Sequence, residues 1–202
     1  MTWVKVCGMR STADLEAAAE AGADAVGMVL IEGSPRCLEV QEAVRLSEKT
    51  DLPTVILTSD LEPEQILDLM EQIGASGVQP YGEHSDRAAR AAEESGALVL
   101  RPIRLQGPVN LDLLPEGQIP LLDSYTPDRL GGTGKTIPTS WLPEPGTRYV
   151  LAGGLNPSNV AEAVGRYRPW GVDASSGLES SPGVKDPALI MEFVRKAKEG
   201  RQ

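Results

Sequence analysis

Eight short apolar runs of strand length are strung along the chain, separated by segments with helical spacing or by loops rich in turn residues. This alternation limits the fold more than any other feature. Strand, crossover and strand again pack as a parallel sheet with the connections laid on its outside, and eight such units close into a (β/α)8 barrel. The runs are Trp3 to Val6, Ala25 to Leu30, Thr54 to Leu57, Gly77 to Gln79, Leu98 to Pro102, Ile119 to Leu122, Tyr149 to Ala152 and Gly171 to Ala174. No linker or composition break divides them, so residues 1–202 read as a single α/β domain, a TIM barrel near the short end of its size range.

The helices carry their own punctuation. Ser11 as N-cap with Asp14 three residues on opens the first, whose stripe is Leu15, Ala18, Ala19 and Gly22. Pro63 starts the third, with Ile66, Leu69, Met70 and Ile73 on one face and Gly74 as terminator. Asn156-Pro157 and Asp186-Pro187 read as N-cap plus N1 proline for the seventh and eighth. In the eighth, Leu189, Ile190, Phe193 and Val194 form the buried face, and Arg195, Lys196 and Lys198 suit the negative end of the dipole. Helix five, near Leu111 to Leu114, is short, and Pro138, Pro143, Pro145 and Gly146 leave helix six short or absent.

Residues two apart on a strand share a face, so Lys5 goes with Cys7, Leu121 with Asp123, and Asp173 with Ser175. A lysine turned outward would meet the apolar helix layer, where an unpaired ammonium is costly. Lys5, Cys7, Arg101, Asp123 and Asp173 are therefore placed on the inner side, toward the C-terminal mouth. An ion pair that merely fills the barrel is the other reading of Lys5 and Asp173. Cys7 lies beside Gly8 and near a lysine, where a thiolate is favoured, although a buried inert thiol has the same sequence signature. Cys7 and Asp123 end the first and sixth strands, and catalytic groups of such barrels come from the ends of several strands. An acid and a base facing each other across one pocket are what a proton-shuffling isomerisation needs. A turn or N-cap residue is the plainer account of Asp123.

Gly153-Gly154-Leu155-Asn156-Pro157 and Ser175-Ser176-Gly177 follow strands seven and eight, where barrels of this kind hold a phosphate on backbone N–H groups. Gly131-Gly132-Thr133-Gly134-Lys135 lacks the spacing of a nucleotide P-loop; it reads as a lid hinged at Gly131, Gly132 and Gly134, or as a plain connector. Ser34-Pro35-Arg36 falls on the loop after strand two, where a guanidinium can grip a carboxylate or simply be solvated.

A formal charge of −10 without a basic face argues against nucleic acid, yet a few aligned backbone dipoles suffice for a small phosphorylated substrate. Met1 to Met9 forms a strand rather than a signal sequence, and no apolar stretch approaches the ~18 residues of a membrane span, which points to the cytoplasm and to no membrane partner. With two cysteines and one histidine, His84, neither a disulfide framework, a zinc site nor a histidine-dependent triad is expected. The sequence leaves monomer and homodimer open.

Taken in order, Val4-Lys5-Val6-Cys7-Gly8, Gly22-Ala23-Asp24-Ala25-Val26-Gly27, Ser34-Pro35-Arg36, Leu121-Leu122-Asp123, Gly131 to Lys135, Ala152 to Pro157 and Val172 to Gly177 resemble the motifs of the phosphoribosylanthranilate isomerases of tryptophan biosynthesis, over essentially the whole chain. The resemblance implies a cofactor-free Amadori rearrangement of N-(5-phosphoribosyl)anthranilate to 1-(2-carboxyphenylamino)-1-deoxyribulose 5-phosphate. It implies Asp123 as general acid at the furanose ring oxygen and Cys7 as general base at the C2 proton. It further implies Arg36 on the anthranilate carboxylate, the phosphate on Gly153, Gly154, Ser176 and Gly177, and Lys5, Asp173 and Gln79 lining the pocket. The chain departs from the family pattern at Tyr81, where histidine is usual, at Ile137 to Trp141, where a Phe-Asp-Trp stretch is usual, and at Ile56 to Asp60. Two alternatives are the aminoaldose isomerase of histidine biosynthesis, against which Cys7 in place of aspartate argues, and a phosphate-binding barrel without this turnover.

Overall fold

A computed structural model describes residues 1–111, 114–123, 138–144 and 146–200. Eight parallel strands close in sequence order into a barrel: β1 (Trp3–Cys7), β2 (Ala25–Val29), β3 (Thr54–Ser59), β4 (Gly77–Tyr81), β5 (Leu98–Arg104), β6 (Ile119–Asp123), β7 (Val150–Ala152) and β8 (Gly171–Ala174). β1 closes against β8 with Lys5 opposite Asp173. Each expected run falls on one of these strands, and β3, β4 and β5 run two residues further toward the mouth.

Helices α1 (Thr12–Glu20), α2 (Val40–Ser47), α3 (Pro63–Ile73), α4 (Ser85–Glu94), α5 (Val160–Tyr167) and α6 (Pro187–Glu199) form the outer layer. Ser11 and Asp14 make the reciprocal capping box at α1. Its buried face holds Leu15, Ala17 and Ala18, whereas Ala19 is exposed: a helix of little over two turns shifts its stripe by one position. α3 runs from Pro63 to Gly74, which is left-handed at φ 71°. Asp186 caps α6 by accepting from the backbone of Ala188 and Leu189. The expectation for Asn156 is corrected, because its Oδ1 instead accepts from Ser158 in a tight turn, and Asn159 takes the N-cap position of α5. Among the described residues no α-helix separates β5 from β6, and a single 3₁₀ turn, Thr139–Trp141, precedes β7. Part of the expected fifth helix, Asp112 and Leu113, and the stretch 124–137 lie outside the described residues.

Strand parity divides the core. Outward residues such as Val4, Val6, Val26, Met28, Ile56, Val78, Leu122 and Val172 pack against the helices. Inward, Ala25, Val55, Leu100, Ile119, Leu121, Val150 and Ala152 fill the barrel. Its floor is closed by Trp3 stacked on Trp170, with ring centres 4.9 Å apart and the Arg148 guanidinium 4.2 Å from the Trp170 ring. An apolar plug thus separates one end of the barrel from the other, and polar chemistry is confined to the C-terminal half.

Candidate active site

Above the apolar plug lies a polar layer. Lys5, which is 0 % exposed, donates to Asp173 Oδ1 at 2.9 Å and to Gln79 Oε1 at 3.1 Å. Gln79 in turn donates through Nε2 to the Tyr81 hydroxyl at 2.6 Å. The chain Asp173–Lys5–Gln79–Tyr81 therefore crosses the barrel from β8 through β1 to β4. Burial by itself lowers the Lys5 pKa, but the adjacent Asp173 charge more than offsets it and the ammonium is held more firmly than usual. Burial also pushes the Tyr81 phenol well up.

Cys7 stands one step nearer the mouth on the same face as Lys5, packed with Val29, Leu57, Ile31 and Tyr81. Burial pushes its thiol above the ordinary 9.0, although the Lys5 ammonium pulls the other way. The expectation of a favoured thiolate is thereby corrected: Lys5 is already committed to Asp173 and Gln79, and desolvation prevails. Asp123 ends β6 with the inward parity of Ile119 and Leu121 and is partly exposed. By the shorter way around the closed barrel β6 lies beyond β8 and β7 from β1, so the two groups rise from separate walls of one mouth.

Arg101 is a second correction. Its neighbour Val99 packs in the helix layer and Leu100 inside the barrel, so Arg101 faces outward. There it donates to the Ser85 carbonyl and pairs with Asp86 at the start of α4. An outward cation is tolerated because a helix N-terminus supplies both a carboxylate and a carbonyl.

Arg36 lies across Gly8: an ideal Cβ on Gly8, whose φ is +81°, would stand 2.7 Å from Arg36 Cδ. Its Nε and Nη2 form a two-point bond with Glu179 at 2.6 and 2.7 Å. Glu179 also accepts from Lys185 Nζ at 2.8 Å and from the Gly183 backbone at 3.2 Å. Burial raises the Glu179 carboxyl, but the hydrogen bonds from Arg36 and Lys185 outweigh it and the net shift is downward. Glu179 and Lys185 belong to a small hairpin, β9 (Glu179–Ser181) and β10 (Val184–Lys185), inserted between β8 and α6.

The two glycine turns come together as the sequence predicts. Gly153 and Gly154 have φ of 88° and 70°, a region open to glycine. Ser176 to Leu178 form a short 3₁₀ turn after β8, whose first N–H groups have no acceptor within their own turn. Gly177 sits so close to the first glycine turn that a Cβ there would be 2.1 Å from the Leu155 carbonyl oxygen. The lid glycines Gly131, Gly132 and Gly134 lie outside the described residues. Among those described, no cluster of His, Cys, Asp and Glu is arranged to hold a metal, and no helix is long and apolar enough to cross a membrane.

The family model for N-(5'-phosphoribosyl)anthranilate isomerase matches residues 4–196. The chain belongs to this family. The N-(5'-phosphoribosyl)anthranilate isomerase of Trichlorobacter lovleyi is 38 % identical over 208 residues, covering 98 % of this chain and 99 % of the relative. The crystal structure of TrpF from Jonesia denitrificans superimposes with a TM-score of 0.86 at 37 % identity, covering 98 % of this chain and 97 % of that one. A second structure, phosphoribosylanthranilate isomerase in complex with reduced 1-(o-carboxyphenylamino)-1-deoxyribulose 5-phosphate, gives a TM-score of 0.79 at 30 % identity, with 98 % of this chain and 99 % of that one covered.

Three residues beyond the expected set join it: Glu179 and Lys185, which sequence reasoning passed over, and Tyr81, which it noted only as a departure from the family pattern. Glu179 and Lys185 sit in a stretch, Glu179-Ser-Ser-Pro-Gly-Val-Lys185, that reads as a surface hairpin; only their meeting with Arg36 gives them a place in the site. Tyr81 was visible as an inward β4 residue two beyond Gln79, the one available signal for their hydrogen bond.

Proposed function

We propose that this barrel carries out the family's reaction, the isomerisation of N-(5'-phosphoribosyl)anthranilate in tryptophan biosynthesis, with Asp123 as the acid and Cys7 as the base. The observation that carries the assignment is the inward parity of both groups at the C-terminal ends of β1 and β6, in a family member matched from residue 4 to 196. Asp123 in its acid form gives a proton to the furanose ring oxygen while the anthranilate nitrogen's electron pair expels it from C1, leaving an open-chain Schiff base. Cys7 in its thiolate form then takes the C2 proton, the C2–H electrons neutralise the iminium, and the enolamine tautomerises to the ketone. A positioned acid and base are each worth about 10²- to 10⁴-fold in rate.

Binding follows the same geometry. The phosphate sits on the backbone N–H groups of the Gly153-Gly154 turn and the Ser176-Gly177 turn, at the end of the barrel that the fold reserves for phosphate. Arg36 commits Nε and one Nη to Glu179. Its other edge carries the remaining N–H donors of the fork and receives the anthranilate carboxylate. No histidine-biosynthesis reading is favoured, since the base position holds a thiol.

The test is loss of anthranilate-type fluorescence when the protein meets freshly generated substrate. Turnover is expected, with Cys7→Ser and Asp123→Asn each losing most of kcat while the Kd of a reduced product analogue stays near wild type. Absence of turnover above buffer removes the isomerase reading. A wild-type kcat in either variant removes that residue from its role.

A further inference from the structure

We infer that Lys5 is the positioning residue that makes Cys7 usable as a base, its ammonium clamped beneath the sulfur by Asp173 and Gln79. The inference rests on Cys7 acting as proposed above, and it names what controls the proton on that thiol.

The geometry begins at Gly27 on β2. An ideal Cβ there would stand 2.7 Å from Cys7 Sγ and 3.1 Å from Lys5 Cε. Sulfur and the end of the lysine stem therefore meet over the same bare Cα, which sets the Lys5 side chain beside the thiol. Only glycine lets two consecutive inward residues of β1 lean on one point of the neighbouring strand. Two of the three ammonium donors are fixed, one on Asp173 at 2.9 Å and one on Gln79 at 3.1 Å. Those bonds set where the third points.

The charges facing Cys7 divide cleanly. Lys5 on β1, Lys185 on β10 and Arg36 on the β2–α2 loop favour a thiolate, whereas Asp173 on β8 opposes it; Glu179 neutralises part of Arg36 and Lys185, and Tyr81 on β4 is an uncharged neighbour. Lys5 is the cation whose stem meets Gly27 at the same point as the sulfur, and it is wholly shut from water. A buried cation between a carboxylate and a thiol is shared between them: the hold of Asp173 on Lys5 weakens the support that Lys5 gives a thiolate. When the substrate's C2 proton is to be taken, the thiolate needs a counter-charge that is already in place, since Cys7 is buried. Gln79 keeps the ammonium from sliding wholly to the Asp173 side, and Tyr81 in turn holds Gln79.

Two neutralising variants must then push the thiol in opposite directions, which a merely structural role for the ion pair does not do. The measurement is the ionisation midpoint of Cys7, read by NMR at Cβ of carbon-labelled cysteine in a Cys37→Ser background, so that Cys7 is the one cysteine observed. Lys5→Met is expected to raise the midpoint, cutting the thiolate fraction at a fixed pH about tenfold or more. Asp173→Asn is expected to lower it, because Lys5 then has the thiolate as its partner. If Lys5→Met does not fold, which a stranded Asp173 carboxylate makes a real prospect, the Lys5→Met/Asp173→Asn double variant leaves no charge at this pair; its midpoint is expected above that of Asp173→Asn. An unchanged midpoint in Lys5→Met, or shifts of the same sign in both single variants, overturns the inference. The readout needs no turnover. An active Cys7→Ser enzyme would sink the base assignment and leave the titration result standing, whereas an unmoved midpoint beside an inactive Cys7→Ser enzyme would sink Lys5 alone.

Discussion

Gly27→Ala is the smallest perturbation that addresses the proposed base, Cys7. Gly27 is not among the positive-φ glycines, so alanine strains no dihedral there and acts only through its methyl group. That methyl would stand 2.7 Å from Cys7 Sγ, 3.1 Å from Cys7 Cα and 3.1 Å from Lys5 Cε. Comfortable non-bonded separations are about 3.5–4.0 Å, so the sulfur has to retreat by about 1 Å. Rotating a side chain does not relieve the crowding against the Cys7 backbone, because β1 and β2 are hydrogen-bonded neighbours with Cys7 opposite Gly27. Overpacking of this kind costs about 1–3 kcal/mol of stability. Displacing a reacting group by about 1 Å costs on the order of 10²-fold in rate. The assay is kcat/KM from substrate fluorescence together with urea unfolding of the same preparation. Gly22→Ala is the control: φ is +78° with nothing within 4 Å, so it carries a backbone strain of about 1–3 kcal/mol and leaves kcat/KM unchanged. A Gly27→Ala enzyme with wild-type kcat/KM would refute the placement of the sulfur over Gly27, whatever its stability.

Three further outcomes follow from the same geometry. A base must be deprotonated and an acid protonated, so the two titrations oppose each other in the wild type; in Asp123→Asn only the base titrates, and the residual kcat/KM should rise about tenfold per pH unit until the Cys7 midpoint, above 9.0, is passed, whereas a flat profile would exclude Cys7 as the base. Glu179→Gln weakens the two-point hold on Arg36 by the worth of a charged hydrogen bond, about 1.5–3 kcal/mol, and should raise KM about tenfold or more with kcat little changed; an unaltered KM moves the carboxylate clamp elsewhere. Gly177→Ala drives a methyl to within 2.1 Å of the Leu155 backbone oxygen, so the two phosphate turns must part, and competitive inhibition by inorganic phosphate should weaken while Cys7 titrates as before; unchanged inhibition would dissociate this turn from phosphate.

The elements that were legible in the sequence are those governed by near neighbours. Ser11 finds Asp14 one helical turn away, Asp186 finds the N–H groups that follow Pro187, and Gly74 takes the left-handed turn that ends α3, because each device closes within a few residues. The inward parity of Lys5 and Cys7, and of Asp123 with Leu121, followed from alternation along a single strand. Arg101 shows where charge misleads. Its charge suggests the polar interior, whereas Val99 and Leu100 fix the outward face that it takes, and the partner that makes an outward arginine tolerable sits at the start of α4.

What the chain by itself determined was the order of eight strands, the caps of its helices, and which chemical groups stand at strand ends. Only barrel closure decided their company, because it joins β1 to β8 and so brings Lys5 to Asp173 across 168 positions, and Arg36 to Glu179 across 143. The upward direction of the Cys7 pKa is likewise set by the closed barrel. A lysine two residues away favours a thiolate in any extended strand, and it took burial, with that lysine bound to Asp173 and Gln79, to reverse the sign. Spacing along the backbone is local and can be read; desolvation and charge sharing depend on every wall of the cavity at once.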